Sequence, residues 1–172
     1  MKIRNRVIGL RLIKAAKLTA NAKNWRVHPP KQQEAMWEML SDIGYADALI
    51  ARETKCGDLV LIDGHLRAGL MPDDEVPVLV LDVSESEADK LLLSLDPLAA
   101  MADVDTAALD SLIKSVEPSG EAIAEMYTDM ADAAGLYKES KADKSSAKEV
   151  DVDSFAMQCQ CPECGFEFDD KT

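Results

Sequence analysis

Apolar positions along this chain switch between two periods, and the switches mark its elements. Val7 to Leu18 (VIGLRLIKAAKL) opens with alternating apolar residues and predicts a strand that frays after Ile13. Asn21 to Pro30 (NAKNWRVHPP) is polar, carries a paired proline and reads as a loop. Beyond Pro30, Ala35, Met36, Met39, Leu40 and Ile43 recur at helical spacing, with Gly44 as the stop. Ala48–Arg52 and Leu59–Ile62 are short apolar runs across a Lys55–Asp58 turn, read as neighbouring strands. Asp63-Gly64 ends the second run, and a short helix follows from His65 to Met71, stopped by Pro72.

Val76–Val83 (VPVLVLDV) is rich in β-branched residues and predicts a further strand. Ser84 with Glu87 three residues on is a capping box, opening a helix that runs to Asp96 and stops before Pro97. Asp105 caps an amphipathic helix, TAALDSLIKSV, and Gly120–Tyr137 reads as another. Lys138–Ser154 is polar and charge-mixed, as a linker is. The order β-α-β-β-α-β-α defines an α+β class, a small mixed sheet with flanking helices. Four segments result: a domain over 1–100, a helical extension over 101–137, a linker over 138–154 and a tail over 155–172.

Composition changes the picture in one respect. The 172 residues are 47% apolar and 5% aromatic, so the core is aliphatic. The net charge of −13 argues against a basic nucleic-acid coat. Yet residues 1–31 hold nine Lys or Arg and no acid, while the remainder holds 10 basic and 32 acidic residues. Such an arm can bind phosphate locally, or dock on the acidic body. No apolar run is long enough for a membrane span, and the basic start lacks the apolar stretch of a signal peptide. A cytoplasmic protein without a disulfide framework is the expectation.

The segment with most chemistry is Leu59–Arg67, LVLIDGHLR. A strand delivers Asp63-Gly64 to a turn where a helix begins, and helix N-termini attract phosphate. Gly64 allows close backbone approach, and Arg67 can grip an anion through two N–H groups. Asp63 can accept from a ribose, hold a metal-bound water or orient His65. On spacing alone, an N-cap Asp63 with a solvated Arg67 fits equally well. Trp37, at helical spacing, is expected in the core. Trp25, in the loop, can stack on a base or pack as a lid.

Four separated pieces occur in a familiar order: Asn24-Trp25-Arg26, Ala48–Arg52 (ALIAR), Leu61–Arg67 (LIDGHLR) and Val76–Asp82 (VPVLVLD). Together they resemble the ParB N-terminal domain, whose fold is shared with sulfiredoxin, over roughly residues 5–100. The likeness is to the ParB-like proteins of phages and mobile elements, some of them partnered with DNA methyltransferases. The resemblance implies phosphate or nucleotide contacts from Asn24, Arg26, Arg52, Gly64, His65 and Arg67, three arginines converging on one cleft. It also implies catalytic roles for Asp63 and His65 if the protein is an enzyme.

Departures from the family pattern narrow that expectation. The Glu-Asn-x-x-Arg box of partition ParB proteins is represented by Ser94–Met101, where Asp96 stands for the metal-holding acid and no Arg follows. Residues 105–137 give acidic helices unsuited to a major groove, so centromere binding is not expected. Cys56 precedes the strand, away from the turn where sulfiredoxin chemistry needs its thiol.

The tail, Cys159-Gln160-Cys161-Pro162-Glu163-Cys164, resembles a zinc knuckle. Cys159, Cys161 and Cys164 are its candidate Zn²⁺ ligands, one short of a tetrahedral set within the tail. Three functions follow as expectations. One is a ParB-like nucleotide- or DNA-phosphate-binding protein of phage or mobile-element DNA metabolism, accessory to a DNA methyltransferase. The second is a nuclease, nucleotide hydrolase or phosphotransferase using nucleotide with Mg²⁺. The third is an acidic protein-interaction adaptor. The expected partners are DNA or nucleotide, a methyltransferase or other phage protein, and a second copy in a homodimer.

Overall fold

A computed structural model describes residues 3–137, 159–160, 162–164 and 167–168. The chain divides into two compact units, residues 1–137 and 138–172. In the first unit five strands form one mixed sheet. They are β1 (Val7–Lys14), β2 (Leu18–Thr19), β3 (Leu49–Glu53), β4 (Leu59–Asp63) and β5 (Glu75–Leu81), in the order β1-β5-β3-β4-β2. β1 runs antiparallel to β5, β5 parallel to β3, β3 antiparallel to β4, and β2 parallel to β4. A 3-10 turn at Ala15–Lys17 carries the chain from one edge of the sheet to the other. The helices are α1 (Pro30–Ile43), α2 (His65–Leu70), α3 (Glu85–Ala100), α4 (Thr106–Ser115) and α5 (Glu121–Ala133). The α+β class read from the sequence is the class observed.

The sheet buries both faces by alternation. Leu49 and Ala51 on β3, Leu61 on β4, and Val76, Val78 and Val80 on β5 fill one face, joined by Ala15 and half-buried Ile13, Tyr45 and Ala68. Ile62 of β4 turns to the other face, where Ala88 and Leu92 of α3 cover it together with Ile50 and Leu81. A third, smaller core joins Ala35 of α1 to Ala122, Ile123 and Tyr127 of α5. The Glu38 carboxylate accepts the N–H groups of Ala122 (3.2 Å) and Ile123 (2.9 Å), capping α5 from outside. The C-terminal helices therefore pack with the first hundred residues in one compact unit.

Local signals acted as read at most boundaries. Ser84 accepts from the Glu87 N–H while the Glu87 carboxylate accepts from the Ser84 N–H, a complete capping box. Asp105 caps α4 through the Ala108 N–H at 3.0 Å. Gly44 closes α1 at φ 85°. Three expectations need correction. α3 does not stop before Pro97 but continues through it to Ala100, because Asp96 is tied to the Arg26 side chain and the last turn is surface-exposed. The final helix ends at Ala133, not Tyr137, since Gly135 at φ 72° lets the N–H groups of Gly135 and Leu136 turn back onto Asp132 and Ala131. Trp37 is not core: it is 48% exposed, because α5 takes one flank of α1 and a cavity takes another.

The second unit contributes two short antiparallel strands, β6 (Cys159–Gln160) and β7 (Glu167–Phe168), around a turn at Pro162–Cys164. Cys161 lies outside the described residues, as do the linker residues 138–154. Among the described residues, no three His, Cys, Asp or Glu side chains converge as a metal site, and no helix is long and apolar enough to cross a membrane.

Candidate functional site

The β4–α2 turn is built around one glycine. Gly64 stands at φ 89°, a left-handed conformation that side chains rarely adopt. A Cβ there would lie 2.5 Å from the Leu49 Cγ of β3. Gly64 is therefore demanded by the turn and by packing on β3, rather than by an approaching ligand. It sets His65 and Arg67 at the start of α2.

These residues line a cavity of about 320 Å³ between the 20–29 loop, α1 and the β4–α2 turn. Asn24, Arg26, His28, Asp63, His65 and Arg67 form its polar end, with Asp96 beside Arg26. Met36, Met39, Leu40 and Ile43 of α1 form an apolar wall, which explains why these helical positions are not spent on the core. Arg52, the third expected arginine, is not part of this lining. Its pairing register places it on the α3 side of the sheet, with its guanidinium 3.8 Å from Glu85. The structure thus brings together Asn24, Arg26, Asp63, Gly64, His65 and Arg67, and leaves Arg52 outside.

Both cavity arginines are largely buried and face carboxylates. Arg67 donates to Asp47 (3.0 Å) and Asp63 (3.2 Å), its side chain only 13% exposed. Arg26 Nη2 lies 2.6 Å from Asp96 Oδ2 without the alignment of a hydrogen bond, and that buried nitrogen has no hydrogen-bond partner. The contact is Coulombic, with donor capacity left over. The Arg26 guanidinium also sits 4.8 Å over the Trp25 ring. Trp25 therefore clamps Arg26 rather than lining the cavity.

His65 is held below its ordinary pKa, first by burial, with His28 and Arg26 adding to the effect and Asp63 opposing it. It is neutral near pH 7. Its Nε2 accepts the Asn21 N–H at 3.2 Å, so Nδ1 carries the proton and acts as a donor. The Asn24 Oδ1 accepts the Arg26 N–H at 3.3 Å and so shapes the loop around the arginine. Tyr45 and Asp47, in the loop before β3, were not foreseen. The Tyr45 hydroxyl is buried without a hydrogen-bond partner, and burial pushes its pKa up, so it stays protonated. A polar pair directly after the helix-stop Gly44 was the available signal.

Asp63 and Asp96 are each engaged by an arginine, and no third acidic or imidazole group joins either one.

No family model and no curated protein sequence matches this chain. Several solved structures are similar to it, among them the following two. One is the C-terminally truncated chromosome-partitioning protein ParB from Caulobacter crescentus, complexed with CTP-gamma-S, at 17% identity and TM-score 0.48. That alignment covers 62% of this chain and 64% of the other. The second is a Pnob8-like ParB-N domain, at 18% identity and TM-score 0.45, covering 77% of this chain and 53% of the other. The chain thus spans less than two thirds of the length of either.

Proposed function

We propose that this protein is a binding module for a phosphate-bearing ligand, with a nucleotide favoured over duplex DNA. The observation that carries the reading is the buried, unbonded Arg26 Nη2 on the same cavity as Arg67. Leaving a charged donor unbonded in a buried position is unfavourable unless something completes it. Phosphate oxygens suit the guanidinium fork, and charge-assisted bonds of this kind are the stronger class. Asp47 and Asp96 are 78% and 54% exposed, so releasing them to water is a small loss. His65 Nδ1–H and the Tyr45 hydroxyl add neutral donors. The apolar wall of α1 offers a surface for a sugar or base, and the volume is within the range of small-ligand pockets. A cavity of this size on a protein of net charge −13 suits a single nucleotide better than a polyanion.

The biological setting, phage or mobile-element DNA metabolism beside a DNA methyltransferase, belongs to this proposal through the sequence motifs alone. Calorimetric titration of CTP, ATP, ADP and a short DNA duplex into the wild type and Arg67→Ala tests the binding. A nucleotide that binds the wild type at least about tenfold more tightly than the variant is the expected result. Equal affinities, or no binding by either protein, contradict it.

A further inference from the structure

The cavity between the 20–29 loop, α1 and the β4–α2 turn also specifies how much negative charge its ligand carries, a step that rests on the phosphate-binding reading above. Its lining holds two fixed cations, Arg26 and Arg67, and three carboxylates, Asp47, Asp63 and Asp96. His28 and His65 supply imidazoles rather than fixed charge, and His65 is neutral near pH 7. Nearby cations are committed elsewhere. Lys23 lies on Glu85 and Asp89 of α3, Lys31 on Glu125 and Asp129 of α5, and Arg52 faces Glu85 outside the lining. α3, which brings Asp96 to the cavity, carries no Lys or Arg after Lys90.

That balance limits the ligand. A phosphate monoester carries close to two negative charges at neutral pH, which two guanidinium groups match. Each further phosphate adds charge for which the described lining residues offer no third fixed cation, and it stands among three carboxylates on a protein of net charge −13. Asp47 and Asp96 yield readily to water but stay tethered beside the site. Asp63 is less free, 32% exposed and held by Arg67 one turn on. Room runs the same way. The volume of about 320 Å³ is near the lower end for small-ligand pockets, and the apolar wall of α1 claims one side of it for a base.

We propose that the cavity selects nucleoside monophosphates over di- and triphosphates, with one phosphate shared by Arg26 and Arg67 and the base against α1. The arginine pair recognises the dianion, and the carboxylates around it act as a filter against longer phosphate chains. Triphosphates still bind, more weakly, because the same two guanidinium groups reach one of their phosphates. The discrimination is electrostatic, so it responds to the charge of the lining as well as to that of the ligand.

Calorimetric titration of CMP, CDP and CTP, and of AMP, ADP and ATP, into the full chain tests this at one salt concentration and about pH 8, where the monoester is a full dianion. In the base series that binds more tightly, affinity is expected to fall with each added phosphate, at least about fivefold from mono- to triphosphate without Mg²⁺. Mg²⁺ is expected to narrow that gap without inverting it. Asp47→Asn, a change at a side chain 78% exposed, is expected to narrow it at least about twofold, since the repulsion removed grows with ligand charge. A gap under about fivefold without Mg²⁺, a triphosphate that binds more tightly in either condition, or a gap that Asp47→Asn leaves unchanged overturns the inference. If binding is still lost in Arg67→Ala, the phosphate-site reading survives that outcome. A wild type that binds no member of either series overturns both.

Discussion

At Gly64 a single hydrogen atom in place of a methyl group lets β4 hand over to α2. Left-handed φ and the nearby Leu49 side chain both exclude a Cβ. Gly64→Ala is expected to lower unfolding free energy by about 2–4 kcal/mol, combining left-handed strain with overpacking. Urea denaturation checks this, and a loss under about 0.5 kcal/mol, the range of neutral surface changes, would show the turn relaxing freely. The glycine was legible in the sequence, but its reason was not, because nothing local says that β3 passes beneath it. Glu87 is a second case. Two bonds from Arg6 and two from Ser84 hold its carboxyl down to about 2, against an ordinary 4.5. A depressed carboxyl pKa adds stability above the unfolded value and loses it as pH falls through the folded one. The wild type should therefore exceed Glu87→Gln in stability at neutral pH, and that margin should shrink between pH 4.5 and about 2. A margin constant across this window in acid denaturation would assign Glu87 no such role.

Among the elements, α3 does the most to organise the site. Its first two turns receive Arg6 at Glu87 and Lys23 at Glu85 and Asp89, and its C-terminal half receives Arg26 at Asp96. The basic loop is thereby laid along an acidic helix. The capping box made the start of α3 readable. Its end was misread, because proline is a local signal and the Arg26–Asp96 contact spans seventy residues of chain. α1 was misread in the same way. Its spacing was correct, but only tertiary placement sends Met36 and Met39 to a cavity and Trp37 to solvent. Since Asp96 occupies the face of Arg26 that a phosphate needs, Asp96→Asn should tighten phosphate-ligand binding by about twofold to fivefold, the loss of one exposed ion pair. Weaker binding in titration would mean that Asp96 holds the loop in place instead of competing for it.

Seen as a whole molecule, the net charge of −13 conceals an internal neutralisation. Arg6, Arg11, Lys23, Arg26 and Lys31 of the basic arm all pair with carboxylates of the body, Lys31 reaching Glu125 and Asp129 on α5. The arm is docked, and what it offers a ligand is concentrated at Arg26. The α+β order, the β4–α2 turn and two of three expected arginines were legible in the sequence, since strand alternation, capping and glycine act locally. The separation of Arg52, the contribution of Tyr45 and Asp47, and the packing of α5 on α1 depend on long-range placement. The most direct measurement is calorimetric titration of CTP and ATP into the wild type, Arg26→Ala and Arg67→Ala at one salt concentration. The account predicts saturable binding of a nucleotide by the wild type and a loss of at least about tenfold in each variant. Binding that both variants retain in full, or a wild type that binds neither nucleotide, would contradict it.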